Sequence, residues 1–442
     1  MKKTLRKCLT KRLSSSSALA VCLLSSPLLH AQESPAAPAD AAPAAPAVSP
    51  TETPAPSPVV TPPAPSAPEA APPATAAAAP SDVPSPVAPP ADDAEKYKHI
   101  DMAVWMRLDA TLQNPSQPKK LTGLGATGDV EFHFSNQMRK HLAWTANLVA
   151  TYGAGSIDGS STAGADGVTP DPAAGHVGVL DLIAQFEPDE AFNVWVGRML
   201  VASDRANFSG PWFAAPWIYP LFLGPQTAPF AVVGPKQGPF GRNDGATIWG
   251  QFGGGVFKYY LAAVNLHDAV QKPLLSGRLN LSLLNPEPGY YHSSTYYGMD
   301  LLAIGVGGQY QKNGDAADTG AKDYGLFNAD ILFEKNLQAS GVIDVEGAFY
   351  KYIGDNEALK WSHYVLGSYL TPEITDFGRL QPLVRLQQAI PKGGGDTVTQ
   401  IDAQVGYVVD TYATRFALGF THASAGGGLV SNALFAGVQL QK

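Results

Sequence analysis

The sequence predicts an all-β fold, a transmembrane antiparallel β-barrel of about 16 strands that follows a disordered Pro- and Ala-rich segment. Three observations support it: strict apolar/polar alternation from Ile100, recurrence of such segments to the C-terminus, and connections that alternate between short and long. A period of two places one set of side chains on each face of a strand. Segment 100–112 suits a tilted strand crossing a bilayer, which needs about 9–11 residues.

The N-terminus has the features of an export signal, predicted over residues 1–31. Basic residues come first, and a serine run and the apolar stretch 18–29 follow before a cleavage site near Gln32. Lipidation at Cys22 is the alternative to ordinary cleavage. Since Cys8 also lies in the signal, we expect no disulfide and no thiol chemistry in the mature chain.

Residues 32–95 are predicted to form a periplasmic linker. They consist almost wholly of Pro, Ala, Ser, Thr and Val and hold about half of the 38 prolines. Such a segment cannot bury enough apolar surface to offset its ordering entropy, so we expect it to be disordered and partly polyproline II. Its composition is compatible with a passive tether and with an arm that contacts the cell wall or a partner.

The barrel domain is predicted over residues 96–442. An even number of strands places the N-terminus and the C-terminus of the barrel domain on the same side of the membrane. The weakest strand is the fourth, where Asp181 interrupts the alternation. The expected spans are 98–112, 125–135, 141–153, 176–187, 191–201, 245–252, 255–266, 276–285, 296–311, 323–335, 339–353, 361–371, 378–390, 397–409, 411–422 and 431–441.

The connections between these strands fall into two classes. With a periplasmic linker, the internal connections, such as 188–190, 253–254 and 285–295, are mostly tight and rich in turn formers. The external ones include 153–175 and the very long 202–245. Short inner turns and longer outer loops are typical of transmembrane barrels, not of soluble sandwiches.

The two-faced strands predict a polar interior. A charged group facing hydrocarbon costs roughly 2–4 kcal/mol near the bilayer midplane, so the charged face should point to a wet lumen. The arginines there either form an electropositive strip for anions or pair with neighbouring acids. We expect these residues to line the pore: Arg107, Asp109, Glu131, Lys258, Arg278, Asp344, Glu346, Arg385 and Arg415.

Aromatic residues near strand ends are expected to form the girdles that sit at the membrane interfaces. These residues are Tyr290, Tyr291, Tyr296, Tyr297, Trp361 and Tyr364.

Loop 202–245 differs from the other connections. Loops of this length are usually functional or disordered, and its aromatic content argues against disorder. We expect it to fold into the barrel and narrow the pore; the alternative is an external lid over a wide channel. Its candidate constriction residues are Asp204, Arg205, Trp212, Trp217, Tyr219 and Arg242.

The residue patterns favour neither an enzyme nor a metal site. The nine histidines show no metal-ligand spacing, and no cofactor motif is present. Asp344 and Glu346 share a strand face, where a charged wall is a better interpretation than an acid–base pair. The net charge of −8 offers no basic patch for nucleic acid.

Several short patterns, in order over roughly 98–442, resemble the phosphate-selective porin O/P family of outer-membrane channels. The resemblance implies a sixteen-stranded, homotrimeric porin with an inward third loop and a basic pathway for anions. Two departures are an excess of acids over bases from residue 96 on and a C-terminal lysine, Lys442, in place of an aromatic. The patterns are 107–110 (RLDA), 192–198 (FNVWVGR), 242–245 (RNDG), 259–260 (YY), 367–370 (GSYL) and 381–385 (QPLVR).

The functional hypothesis is therefore an outer-membrane porin for passive diffusion of small polar or ionic solutes, narrowed by loop 202–245. Its partners would be outer-membrane lipid and small polar or anionic solutes, and its mixed lining predicts weak ion selectivity. The alternative is a structural outer-membrane anchor whose barrel is plugged and whose periplasmic arm tethers the envelope. No constellation of residues supports a third class, an outer-membrane enzyme.

Overall fold

The computed structural model describes residues 99–113, 123–152, 176–218, 236–265, 272–315, 322–354, 359–374 and 377–442. The predicted signal 1–31 with Cys22, the linker 32–95, the whole of loop 153–175, and residues 219–235 of loop 202–245, Tyr219 included, lie outside these ranges. No helix within the described ranges is long and apolar enough to cross a membrane.

Sixteen antiparallel strands form one closed barrel, which confirms the predicted fold class and strand count. Each strand pairs with its neighbours in the chain, and the first pairs with the last, so the sheet has no free edge. The strands are β1 (Asp101–Gln113), β2 (Gly123–Arg139), β3 (Leu142–Tyr152), β4 (His176–Asp189), β5 (Phe192–Leu200), β6 (Arg242–Phe252), β7 (Phe257–Val264), β8 (Leu274–Leu283), β9 (Leu301–Asp315), β10 (Lys322–Asn336), β11 (Val342–Ile353), β12 (Leu359–Leu370), β13 (Arg379–Pro391), β14 (Val398–Asp410), β15 (Thr414–Ala425) and β16 (Leu429–Gln441).

Helical structure among the described residues is short. One helix, α1 (Arg205–Ser209), lies between β5 and β6. Three-residue 3₁₀ turns are present at Pro239–Gly241, Gln338–Ser340 and Gly426–Gly428.

The alternation in sequence produces two opposite barrel faces. In β8, Leu279 and Leu281 are exposed on the outer face, whereas Arg278 and Asn280 are buried on the inner face. Most other strands show the same alternation of outward apolar and inward polar or small side chains, and most of the exposed large apolar side chains lie on the outer face. Such a surface matches the hydrocarbon of a bilayer and leaves the polar groups inside.

A β-bulge explains why Asp181 interrupts the alternation in β4. The register between β3 and β4 shifts after the Asn147–Asp181 pair, so that Leu180 and Asp181 both turn inward and are buried. The Asp181 carboxylate then accepts hydrogen bonds from Asn147 Nδ2 (2.9 Å) and from Arg242 Nε and Nη2 (3.1 and 3.2 Å).

One predicted turn is wrong. The expected connection 285–295, with a ninth strand from residue 296, is instead a longer segment, 284–300, and β9 begins at Leu301. After the exposed residues 284–286 this segment enters the barrel, and Glu287 and Thr295 are fully buried. Its polar groups meet partners on the inner wall, and that long-range pairing, not a local turn signal, fixes its path.

The girdle prediction is wrong for all five tyrosines. Four of them, Tyr290, Tyr291, Tyr296 and Tyr297, belong to segment 284–300 and pack in the interior, and Tyr364 points inward from β12. The sixth candidate, Trp361, lies on the outer face with 36% of its surface exposed.

Candidate functional site

Two connections enter the barrel, and together with the inner wall they form the candidate site. We call residues 201–241, between β5 and β6, the third loop, of which the structure describes 201–218 and 236–241, and we call residues 284–300, between β8 and β9, the β8–β9 segment. Because consecutive strands are antiparallel, the connection after an odd strand and the connection after an even strand lie at opposite ends of the barrel. The two therefore enter from opposite ends.

The third loop begins with α1, which is capped by Asp204. The Asp204 side chain accepts a hydrogen bond from the backbone N–H of Asn207 at 2.7 Å, the role for which Asp is favoured at a helix start. Gly210 ends the helix with a positive φ of 55°. Burial raises the pKa of the Asp204 carboxyl to about 7.

Arg205 joins the third loop to the β8–β9 segment. Its Nη1 and Nη2 each donate to the Glu287 carboxylate at 2.8 Å, and Nη1 also donates to Ser293 O at 2.8 Å. Burial alone would raise the pKa of Glu287, but the charge of Arg205 and its hydrogen bonds hold it well below its usual range. A bidentate buried pair of this kind fixes both partners, because separating them leaves an uncompensated charge.

Three predicted lining arginines contact the backbone of the third loop. Arg107 Nη1 donates to Pro211 O at 2.9 Å, and Arg415 Nη1 donates to Ala214 O at 2.6 Å. Arg385 Nη2 donates to Ile218 O at 2.7 Å. These side chains from β1, β13 and β15 therefore hold the loop across the interior in addition to contributing charge.

Each of these arginines also has a polar partner on the wall. Arg107 lies 3.8 Å from Asp109, and Arg385 Nε donates to Asp402 at 2.8 Å. Arg415 donates from Nε and Nη2 to Gln439 Oε1. The sequence left two alternatives for these arginines, an electropositive strip for anions or pairing with neighbouring acids. Arg107 and Arg385 are paired with acids, and the acid that pairs with Arg385 lies on the neighbouring strand.

The two tryptophans of the third loop reach acids on the first two strands. Trp212 Nε1 donates to Glu131 Oε1 at 2.6 Å, and Trp217 Nε1 donates to Asp109 Oδ1 at 2.7 Å. The Arg107 guanidinium lies 4.0 Å from the centroid of the Trp217 ring, within cation–π distance. The predicted loop and lining residues are thus in direct contact.

The remaining predicted lining residues surround the β8–β9 segment and α1. Lys258 Nζ donates to Gly289 O at 3.1 Å, and Arg278 forms two bonds to Asp330. Asp344 Oδ1 accepts from Thr295 Oγ1 at 3.2 Å, and Glu346 accepts from Ser294 Oγ and from Tyr364 OH. Burial, together with the charge of Lys258, lowers the pKa of His292 well below its usual value.

Arg242 corrects the predicted loop boundary. It is the first residue of β6, and it pairs with Asp181 of β4 instead of lying in the third loop. Glu287, His292 and Ser294 also lie at this site, although the sequence predicts 285–295 only as an ordinary turn. The available signal was its length and its concentration of polar and aromatic residues.

A small cavity separates the third loop from the wall formed by β11–β13. An acid, Glu346, and a base, Arg385, both face it. Its other lining residues are Ala206, Ser209, Ala214, Pro216, Ile218, Ser294, Tyr364 and Leu366.

Within the described part of the chain, no group of three or more His, Cys, Asp or Glu side chains is arranged to hold a metal ion.

No protein-family model matches the chain, and no curated protein matches it. Among solved structures, OmpF of Salmonella typhi in complex with daunomycin is similar, with 10% identity, a TM-score of 0.51, and coverage of 79% of this chain and 99% of that one. An anion-selective porin from Comamonas acidovorans has 12% identity, a TM-score of 0.50, and coverage of 78% and 99%. At such identity the likeness shows the fold, which is that of outer-membrane porins.

Proposed function

We propose that this chain is an outer-membrane porin through which small polar or ionic solutes diffuse passively. The observation that carries the proposal is a closed sixteen-strand barrel with an apolar outer face and a charged inner face, crossed by a long third loop. Such a barrel supplies a polar route across a membrane, and a loop held inside it limits the size of the solute. Diffusion of this kind needs neither a cofactor nor an energy source.

Selectivity in this proposal is weak because acids and bases share the interior. The Arg385–Asp402 pair and the Arg278–Asp330 pair place opposite charges within hydrogen-bonding distance of each other. Resemblance to the phosphate-selective porin O/P family and the likeness to an anion-selective porin both favour anionic solutes. The paired arginines instead favour a route that admits ions of either sign.

The proposal includes a location and an assembly. The barrel would lie in the outer membrane, with the linker 32–95 in the periplasm, where it could contact the cell wall. The family resemblance adds a homotrimer, which native mass spectrometry of the detergent-purified protein would detect as three copies. A single copy under those conditions would contradict the trimer.

Planar bilayer recordings of the refolded mature protein under a salt gradient test the channel function. Defined current steps are expected, and the reversal potential gives the sign of the selectivity. A folded barrel whose electrophoretic mobility changes on heating, but which passes no current, would overturn the diffusion proposal.

A second candidate function is a structural outer-membrane anchor with a closed barrel. The observation that favours it is the filling of the interior by two segments, since both Arg205 and Glu287 are fully buried. It predicts no conductance, together with envelope defects when residues 32–95 are deleted. Normal envelope integrity after that deletion would count against it.

A further inference from the structure

We propose that the β8–β9 segment is a second constriction element, joined to the third loop by the Arg205–Glu287 ion pair, so that the passage is controlled from both ends of the barrel. This inference rests on the proposed channel function. It gives the pair a specific task, which is to hold two constrictions in one closed arrangement.

The first line of support is the path of the β8–β9 segment. Its neighbours at the same barrel end are short, such as the four-residue connection between β6 and β7 (253–256). Segment 284–300 instead turns inward, and its residues Glu287, His292 and Thr295 are at most 2% exposed. A connection that only joined two adjacent strands would need a few residues and no burial.

The second line of support is how the wall holds this segment. The Glu334 carboxylate of β10 accepts backbone N–H bonds from Tyr296 (2.5 Å), Gly298 (2.6 Å) and Met299 (2.6 Å). It also accepts from Thr295 Oγ1 at 2.9 Å. Bonds from three backbone donors to one carboxylate fix the inward course of the chain.

The third line of support is direct contact between the two inward segments. Besides the bonds of Arg205, Ser294 N donates to Phe213 O at 3.0 Å. The Tyr412 hydroxyl lies 2.8 Å from Phe213 O and 2.9 Å from Thr295 O, so it bridges the same two segments. Phe208 of α1 packs edge-on against the Tyr290 ring, 5.2 Å between centroids.

These contacts couple the two constrictions. Glu287 is the charged partner that Arg205 contacts in the β8–β9 segment, and both side chains are sealed from solvent. Moving either segment alone would leave a buried charge without its partner, which is strongly unfavourable. We therefore assign Arg205 and Glu287 as positioning residues for the closed arrangement.

The test compares Glu287→Gln with a matched control, Glu187→Gln. Glu187 is also an inner carboxylate, accepting from Trp195 Nε1 at 2.8 Å, but no described contact joins it to the third loop. Glu287→Gln should at least double the single-channel conductance or add larger substates, and Glu187→Gln should leave the channel unchanged. Equal behaviour of the two folded variants would overturn the inference.

A second readout does not depend on current. Ser294→Cys places a thiol at a site that is 1% exposed, in a mature chain expected to have no other cysteine. A water-soluble maleimide should modify it at least tenfold faster when Glu287→Gln is added, but not when Glu187→Gln is added. If the wild-type barrel passes no current but this acceleration is seen, the channel proposal fails, whereas the inference that the Arg205–Glu287 pair joins the two segments is supported. If no acceleration is seen, that inference is overturned.

Discussion

The indole ring of Trp217 lies directly against Gly437 of β16, where a Cβ atom would come within 2.2 Å of the ring. Polar contacts fix the same residue, since its backbone N–H donates to Gln404 Oε1 at 2.7 Å and its Nε1 to Asp109. The glycine thus provides the space and the two acceptors provide the orientation. The third loop is fitted to the far wall of the barrel through this contact.

Replacing Gly437 by valine should displace Trp217 and loosen the third loop. Valine is well suited to a strand, so the barrel itself should persist. We expect larger or noisier single-channel currents and faster proteolysis within the third loop. Gly367→Val is the control, because a Cβ there meets no atom closer than 4.0 Å; similar currents in both variants would contradict the role of Gly437.

Deleting Phe208–Pro239 and joining the ends with a short Gly/Ser linker should enlarge the conductance. The deletion removes both tryptophans and the carbonyl groups that Arg107, Arg385 and Arg415 contact. Shortening 392–397, the connection between β13 and β14 at the same barrel end, serves as the control. An unchanged conductance in the Phe208–Pro239 deletion would count against the constriction.

Arg385→Gln should shift the reversal potential toward cation selectivity, and Asp402→Asn should shift it toward anions. Each change removes one member of a buried ion pair that faces the interior. At a separation of ~8 Å and an effective dielectric constant of ~20, one charge contributes about 2 kcal/mol to an ion before screening, enough for a severalfold change in permeability ratio. Shifts of the same sign in both variants would argue against electrostatic control at this pair.

The contribution of Asp204 to the closed arrangement should weaken as the pH rises from about 4 to about 7. Burial raises the pKa of Asp204 to about 7, so the closed state retains a proton that the carboxyl would lose near pH 4 in an opened loop. Stability of the closed state is therefore lost across that interval and is constant above it. The open probability of the wild type in planar bilayers should therefore rise across this interval relative to that of Asp204→Asn.

Asp204→Asn is the matched variant for this pH effect, since it keeps the cap but does not ionise. Asp204 faces Asn207, Gln237 and Tyr350, and the charges of Asp330 and Arg278 also act on it. We expect the variant to lose this weakening; a change that remains between pH 4 and 7 should have the opposite sign, because the lowered pKa of His292 favours the closed state as the pH rises. A wild-type profile that survives the substitution would assign the titration to another group.

Val345→Arg should destabilise the barrel by roughly 2–4 kcal/mol if the residue lies near the bilayer midplane. Val345 is 41% exposed on the outer face of β11, between the inward residues Asp344 and Glu346. Urea unfolding in lipid vesicles measures the change, with Val345→Leu as the control. Equal stability of the two variants would mean that this face does not meet hydrocarbon.

Alternation along the chain predicted the barrel, its sixteen strands and the facing of their side chains. In β8, for example, Arg278 and Asn280 are inward and Leu279 is outward, as their two-residue period indicates. The predicted strand bounds differ from those of the structure by only a few residues at most places. The largest difference is at 296–300, which the alternation predicts as the start of β9. Backbone N–H groups of this stretch instead donate to the Glu334 carboxylate.

The candidate site was predicted as a set of residues but not as a set of contacts. The alternation predicts that Arg107, Arg385 and Arg415 face the inside of the barrel, but no sequence signal indicates that each donates to a carbonyl of the third loop. Arg385 had no charged neighbour on its own strand face. Its partner Asp402 is set by the register between β13 and β14, which pairs the two residues directly.

The sequence by itself determined which side chains face lipid and which face the lumen, because that property depends only on a local period of two residues. Tertiary structure decided how the lumen is filled. Arg205 and Glu287 are 82 residues apart in the chain, and they meet because two connections enter the closed barrel from opposite ends. Each buried charge is stabilised by the opposite charge of the other residue. No local pattern encodes such a partner, since it is selected by packing inside the finished barrel.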